Sequence, residues 1–179
     1  MRKTIAVIGA GAAGLCAAKH MLEADYDVTV YEIGSKVGGM WVYQNDNNRS
    51  SAYKTLHINT ARDLTAFKDF VFDPAVQPFP DHKDMAKYLA AYADHFGITQ
   101  RIKFHTPVKD VRPAADYAET RPRWTIETAA GGTASYDSVI VASGHLTKPF
   151  EVEQFKSFKG HYLHSCDYKD PAIFASKRI

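Results

Sequence analysis

The chain has 179 residues, of which 45% are hydrophobic and 23% charged, and a formal net charge of +2. That length allows one domain with a sizeable core, and the near-neutral charge gives no footprint for nucleic acid or an anionic membrane. No apolar run is long enough to span a bilayer, and two cysteines are too few for a disulfide framework.

Met1-Arg2-Lys3 ahead of an apolar run faintly mimics a secretory leader, but the glycines that follow at once argue for a strand, so a cytoplasmic protein is expected. Residues 4–8, Thr-Ile-Ala-Val-Ile, predict a short buried strand closed by Gly9. From Ala12 to about Glu23 the chain is rich in Ala and Leu and free of Pro, which predicts a helix. Cys16 falls inside it as a small core residue. Residues 27–32, Asp-Val-Thr-Val-Tyr-Glu, predict a second strand of the kind found in parallel sheets.

Gly9-Ala10-Gly11-Ala12-Ala13-Gly14 therefore lies between a strand and a helix, the context that a dinucleotide fingerprint requires. Gly9 permits the tight turn, Gly11 lets a backbone approach a pyrophosphate, and Gly14 lets helix and strand pack closely. The helix N-terminus offers free N–H groups and partial positive charge to phosphates. Glu32 ends the second strand, 18 residues after Gly14. A carboxylate there accepts hydrogen bonds from a ribose diol and repels a 2′-phosphate, which favours FAD or NAD over NADP at this site. The fingerprint alone does not separate FAD from NAD.

Glu32 runs directly into Gly38-Gly39 and Trp41, where a plain NAD domain would pass to another helix. Residues 81–97 predict the clearest helix, with Asp81 as N-cap, Gly97 just past its end, and Met85, Leu89, Tyr92 and Phe96 as a core-facing stripe. Residues 103–111 and 123–128 read as strands, and Gly131-Gly132 suits a hairpin returning through Tyr136. Together they suggest a small antiparallel meander. Residues 136–144, Tyr-Asp-Ser-Val-Ile-Val-Ala-Ser-Gly, then predict a buried parallel strand. No ligand set for a metal is expected around His161 and His164, and no basic cluster activates Cys166.

Phe158-x-Gly160-x-x-x-His164-x-x-x-Tyr168 matches the fingerprint of the flavin-containing monooxygenases. Gly-Gly-Met-Trp at 38–41 is similar to that family's Gly-Gly-x-Trp, and residues 56–72 resemble its Asn-Thr segment and the Phe-x-Asp-Phe that follows. The related Baeyer–Villiger enzymes usually place Trp at the last fingerprint position, so Tyr168 favours the first branch. The resemblance covers nearly the whole chain. It implies an α/β fold, a Rossmann-like FAD-binding domain with a parallel sheet and an inserted antiparallel β-meander.

The resemblance further implies bound FAD, NADPH as reductant, and O2 with a small nitrogen or sulfur nucleophile as substrates, one oxygen passing from a flavin C4a-hydroperoxide. Neither nucleic acid nor membrane is an expected partner. Expected cofactor contacts are Gly9, Ala10, Gly11, Ala12, Ala13, Gly14, Glu32, Gly39, Met40, Trp41, Asn59, Thr60, Val108, Ala142 and Gly144. Asn59 is also the expected catalytic amide, with a turn or helix cap as its plain alternative. His164 is expected to be structural or coupling rather than an acid or base.

Residues 1–157 are expected to form the N-terminal portion of the FAD-binding domain, and 158–179 a linker leading to an NADPH domain that this sequence lacks. Only one Gly-x-Gly-x-x-Gly is present. The expectation is therefore a portion of a longer protein, inactive alone. A non-catalytic FAD- or ADP-binding fragment, a Baeyer–Villiger-type enzyme and a simple NAD dehydrogenase remain as alternatives.

Overall fold

Apolar β-branched runs separated by an Ala-rich segment build a strand–helix–strand unit at the start of the chain. The computed structural model describes residues 2–119 and 123–179. Strand β1 (Thr4–Ile8), helix α1 (Ala12–Glu23) and strand β2 (Asp27–Tyr31) fall where the sequence places them, with Glu32 standing just past β2. A four-residue helix α2 (Arg62–Thr65) and the longer α3 (His82–His95) follow. Strands β3 (Ile102–Lys103) and β7 (Ser138–Val141) complete a parallel sheet of order β3-β2-β1-β7. The strand order reverses at β1, which puts a crevice at its C-terminal end, the usual ligand position in open α/β sheets.

Strands β4 (Val108–Pro113), β5 (Trp124–Thr128) and β6 (Thr133–Tyr136) form the antiparallel meander between β3 and β7 in the chain. Residues 103–111, read from sequence as one strand, divide between the two sheets. His105 takes a positive φ of 50° and Pro107 has no N–H for a ladder, so the chain breaks there.

Side-chain alternation along β1 serves two cores. Ile5 and Val7 pack with Leu15 and Ala18 of α1, Val28 and Val30 of β2, and Met85, Leu89 and Tyr92 of α3. Ala6 joins Tyr31, Ile126 and Tyr136 in a smaller cluster against the meander. Leu15 and Leu89 are essentially sealed from solvent, each contributing roughly 2 kcal/mol by burial. The Tyr31 and Tyr136 hydroxyls meet at 2.7 Å, and burial pushes the Tyr31 phenol up.

Helix α3 is positioned by a full capping box. Asp81 accepts from the N–H groups of Lys83 and Asp84 at 2.7 and 2.9 Å, and the Asp84 carboxylate accepts from Asp81 N at 3.3 Å. Gly97, at φ 63°, ends the helix.

Lys19 is the charged residue in this apolar wall, only 6% exposed. Its amine pairs with Glu23 at 2.8 Å and with Asp69, and lies 5.2 Å from the Phe96 ring centre. The hydrogen bonds to Asp69 and Glu23 raise the Lys19 amine, and the bond to Lys19 holds both carboxyls below their ordinary values of 3.8 and 4.5. Groups depressed in this way stabilise the fold above those values and lose that contribution as the pH falls through the folded values. Thermal melts between pH about 6 and about 3 should therefore show an acid slope that Lys19→Met flattens; an unchanged slope would remove the triad from the account.

Gly14 gives a second prediction. A Cβ there would sit 1.9 Å from Gly9 O. Gly14→Ala should lower stability by about 3 kcal/mol in urea unfolding, although Ala favours helix over Gly.

Candidate cofactor-binding site

The turn after β1 is built by exclusion of side chains. Gly9 has a φ of 106°, and a Cβ on it would lie 2.5 Å from Ala142 O. Its N–H donates to Tyr31 O at 2.8 Å. Ala10 is fully buried and both of its peptide groups are engaged. Its N–H donates to Glu32 Oε2 at 2.8 Å, and its carbonyl accepts from Gly38 N at 3.0 Å.

Glu32 is 3% exposed, and its other oxygen, Oε1, accepts from Gly34 N at 2.8 Å. One buried carboxylate thus binds the glycine-rich turn to the segment leaving β2. The Gly38-Gly39 turn closes against the same place. Gly39, at φ 57°, could not carry a Cβ without coming within 3.0 Å of Gly11 Cα. Buried Asn45 donates to Gly39 O at 3.2 Å, and Ser50 Oγ donates to Met40 O at 2.7 Å, fixing the single 3-10 turn Gly39–Trp41.

These elements border a cleft of roughly 410 Å³ at the C-terminal end of β1, within the range of ligand sites. Of the expected residues, Gly9, Gly11, Ala12, Ala13, Glu32, Gly39, Met40, Trp41, Val108, Ala142 and Gly144 line it. Ala10 and Gly14 stand behind the lining, Ala10 fixing the loop and Gly14 packing on Gly9. Asn59 and Thr60 are exposed and lie outside the lining, with Thr60 Oγ1 3.4 Å from Asn59 Oδ1. Asn59 is not a helix cap either, because the N-cap of α2 is Ala61.

Sequence reasoning missed Asn47, Arg49, Ser51, Thr106, His145 and Thr147, all of which border the cleft. They sit on irregular loops, where no periodicity marks an inward side chain. Arg49, the cation in the lining, carried the one available signal, its charge.

The fit to a dinucleotide rests on Gly11. Its φ of −81° suits any L-residue, and a Cβ there would meet only Gly39 Cα, at an ordinary 3.7 Å. The fold itself therefore does not demand glycine at position 11, whereas it does at 9 and 14. As N-cap of α1, Gly11 supplies no side-chain acceptor, so the first-turn N–H groups are left for a ligand. Each Glu32 oxygen keeps a lone pair beyond the N–H it already accepts.

The segment 158–179 lies against residues 50–54. Lys54 N donates to Lys169 O at 2.8 Å, Lys169 Nζ to Ser50 O at 2.6 Å, and the Tyr53 and Tyr168 rings stand 5.1 Å apart. His164 caps the short 3-10 turn Ser165–Asp167, its Nδ1 accepting from Cys166 N at 3.1 Å. Burial and Asp167 push the Cys166 thiol up. Among the described residues no group of three His, Cys, Asp or Glu could hold a metal, and no helix is long and apolar enough to cross a membrane.

The family FMO-like, Flavin-binding monooxygenase-like, matches residues 2–179. The chain is 36% identical to flavin-containing monooxygenase 5 of Oryctolagus cuniculus, covering 99% of this chain and 35% of that protein. It is 33% identical to the human dimethylaniline monooxygenase [N-oxide-forming] 4, covering 100% of this chain and 34% of the relative. Among solved structures, S-allyl-L-cysteine S-oxygenase from Allium sativum superposes with a TM-score of 0.82 at 28% identity, over 97% of this chain and 44% of that one. The chain thus spans about a third of the length of the curated relatives it matches.

Removing the Glu32 carboxylate should strand two buried N–H donors, those of Ala10 and Gly34. Glu32→Ala is expected to cost about 3 kcal/mol of stability with no ligand added, and a loss under about 0.5 kcal/mol would show that the carboxylate does not hold the turn.

Proposed function

The chain belongs to the flavin-binding monooxygenase-like family, and on that premise we propose that it builds the FAD-binding portion of a monooxygenase acting on small nitrogen or sulfur nucleophiles. The observation that carries this reading is Gly11, a glycine the fold does not need, at an uncapped helix start beside a buried carboxylate. The names of the relatives support the substrate class, since one forms N-oxides and one oxygenates sulfur.

Within the cleft, the N–H groups at the start of α1 bind the pyrophosphate, and Gly11 leaves room for its approach. Glu32 accepts from the ribose hydroxyls while still holding Ala10 and Gly34. Arg49 adds positive charge at the rim. Met40, Trp41 and residues 142–144 line another part of the cleft. Bound FAD would supply the redox chemistry, taking electrons from NADPH and passing one oxygen atom of O2 to the substrate.

Asn59 has an exposed carboxamide on the loop before α2. In this reading it donates to the oxygen being transferred or to the nicotinamide once the site is complete. The relatives extend well beyond the matched third, and their further residues would complete the NADPH and substrate sites. Residues 1–157 then belong to the FAD domain, and 158–179 to the passage toward the NADPH domain.

Gly11→Ala separates this function from the fold. The variant should melt within a few degrees of the parent, because its Cβ meets nothing closer than 3.7 Å. FAD retained after desalting, read by flavin absorbance, should fall by about tenfold or more. Equal retention by parent and variant would overturn the assignment of the turn.

A further inference from the structure

The segment 158–179 touches the wall of the cofactor cleft at Ser50. We propose that Lys169 is a positioning residue for that cleft. Acting through Ser50, it fixes the loop 47–51 and the Met40–Trp41 turn, which together form one wall. The proposal rests on FAD as the ligand of the cleft, and it gives the segment a second duty beyond leading to the NADPH domain.

The wall needs an anchor at each end. Asn47, Arg49 and Ser51 border the cleft from a stretch without helix or strand. Its first half is tied to buried Asn45, whose Oδ1 accepts from Asn47 N and whose carbonyl accepts from Asn48 N, each at 3.1 Å. Arg49 N then donates to Asn47 Oδ1 at 2.9 Å. These bonds shape the loop locally and leave its far end to be held from elsewhere.

At the far end Ser50 links two other segments. Its hydroxyl donates to Met40 O at 2.7 Å and accepts from Ala52 N at 3.2 Å, and its carbonyl accepts from Lys169 Nζ at 2.6 Å. Ser50 can steady Met40 only if Ser50 is itself held, and Lys169 is the group that holds it. Lys169 is in turn fixed by its neighbours. Its carbonyl accepts from Lys54 N at 2.8 Å, the Tyr168 ring stands 5.1 Å from that of Tyr53, and Asp170 pairs with Lys54 Nζ at 2.9 Å. The Lys54–Asp170 pair is open to water and contributes little. The Lys169 bond to Ser50 is charge-assisted and partly buried, so it is the stronger of the two. Lys169 makes no ion pair among the described residues, so no carboxylate draws its ammonium from the Ser50 carbonyl.

Hydrogen exchange on the ligand-free chain reads this latch without any cofactor. Lys169→Met should speed exchange at the hydrogen-bonded amides of Arg49 and Ala52 by about tenfold and leave β1 and α1 unchanged. FAD is then titrated against the parent, Lys169→Met, Ser50→Ala and the double variant. Each single change should weaken FAD about tenfold. The double variant should stay within about twofold of the weaker single, because the two bonds act in series. A parent that binds no FAD would overturn FAD as the ligand of the cleft, and the exchange comparison would then decide on Lys169 alone. Unchanged exchange at Arg49 and Ala52, a rise that extends through β1 and α1, FAD held by Lys169→Met as tightly as by the parent, or additive losses in the double variant would each overturn the role of Lys169.

Discussion

A single buried carboxylate, Glu32, makes the rest of the cofactor cleft possible. It accepts from Ala10 N on one oxygen and from Gly34 N on the other, both at 2.8 Å. Charge-assisted bonds in a dry place are strong, and an unpaired carboxylate in the same place would be costly. The turn after β1 and the segment after β2 are therefore fixed relative to each other before any ligand arrives. Gly38 completes the lock by donating to the Ala10 carbonyl, so one alanine residue joins three segments of chain.

The three glycines of the turn do different work, and the structure separates them. Gly9 and Gly14 are required by the protein, because a Cβ on either would collide with backbone. Gly11 is not required by the protein, since a Cβ there would meet only Gly39 Cα at 3.7 Å. That division turns a sequence pattern into a physical argument for a ligand. It rests on a rigid platform, since alternate residues of β1 are gripped by helices on one face and by the meander on the other.

Much of this was legible in the sequence. β1, α1 and α3 follow from apolar period and capping chemistry, and the box formed by Asp81 and Asp84 is as local as such signals become. The meander was legible from Gly131-Gly132 and its flanking strands. The split of residues 103–111 was not, because it depends on a positive φ at His105 that no apolar pattern announces. The region 56–80 was also opaque. It has little periodic structure and is tied down by tertiary bonds, with the Tyr88 hydroxyl accepting from Phe67 N and donating to Phe70 O, and with Arg62 donating to the carbonyls of Pro74 and Val76. Glu32 was identified as a ribose acceptor, but its grip on Ala10 and Gly34 appears only once the chain is folded. Cleft residues such as Asn47 and Thr147 lay beyond reach for the same reason, brought in by loops whose course tertiary contacts decide.

In the function proposed for this chain, the adenosine diphosphate half of FAD occupies the cleft at the end of β1, and Glu32 excludes a 2′-phosphate. Calorimetric titration of the 179-residue chain with FAD and, separately, with NADP tests it most directly. FAD should bind to this cleft, and NADP should bind at least about tenfold more weakly there. Tighter binding of NADP than of FAD, or no binding of FAD at all, would contradict it.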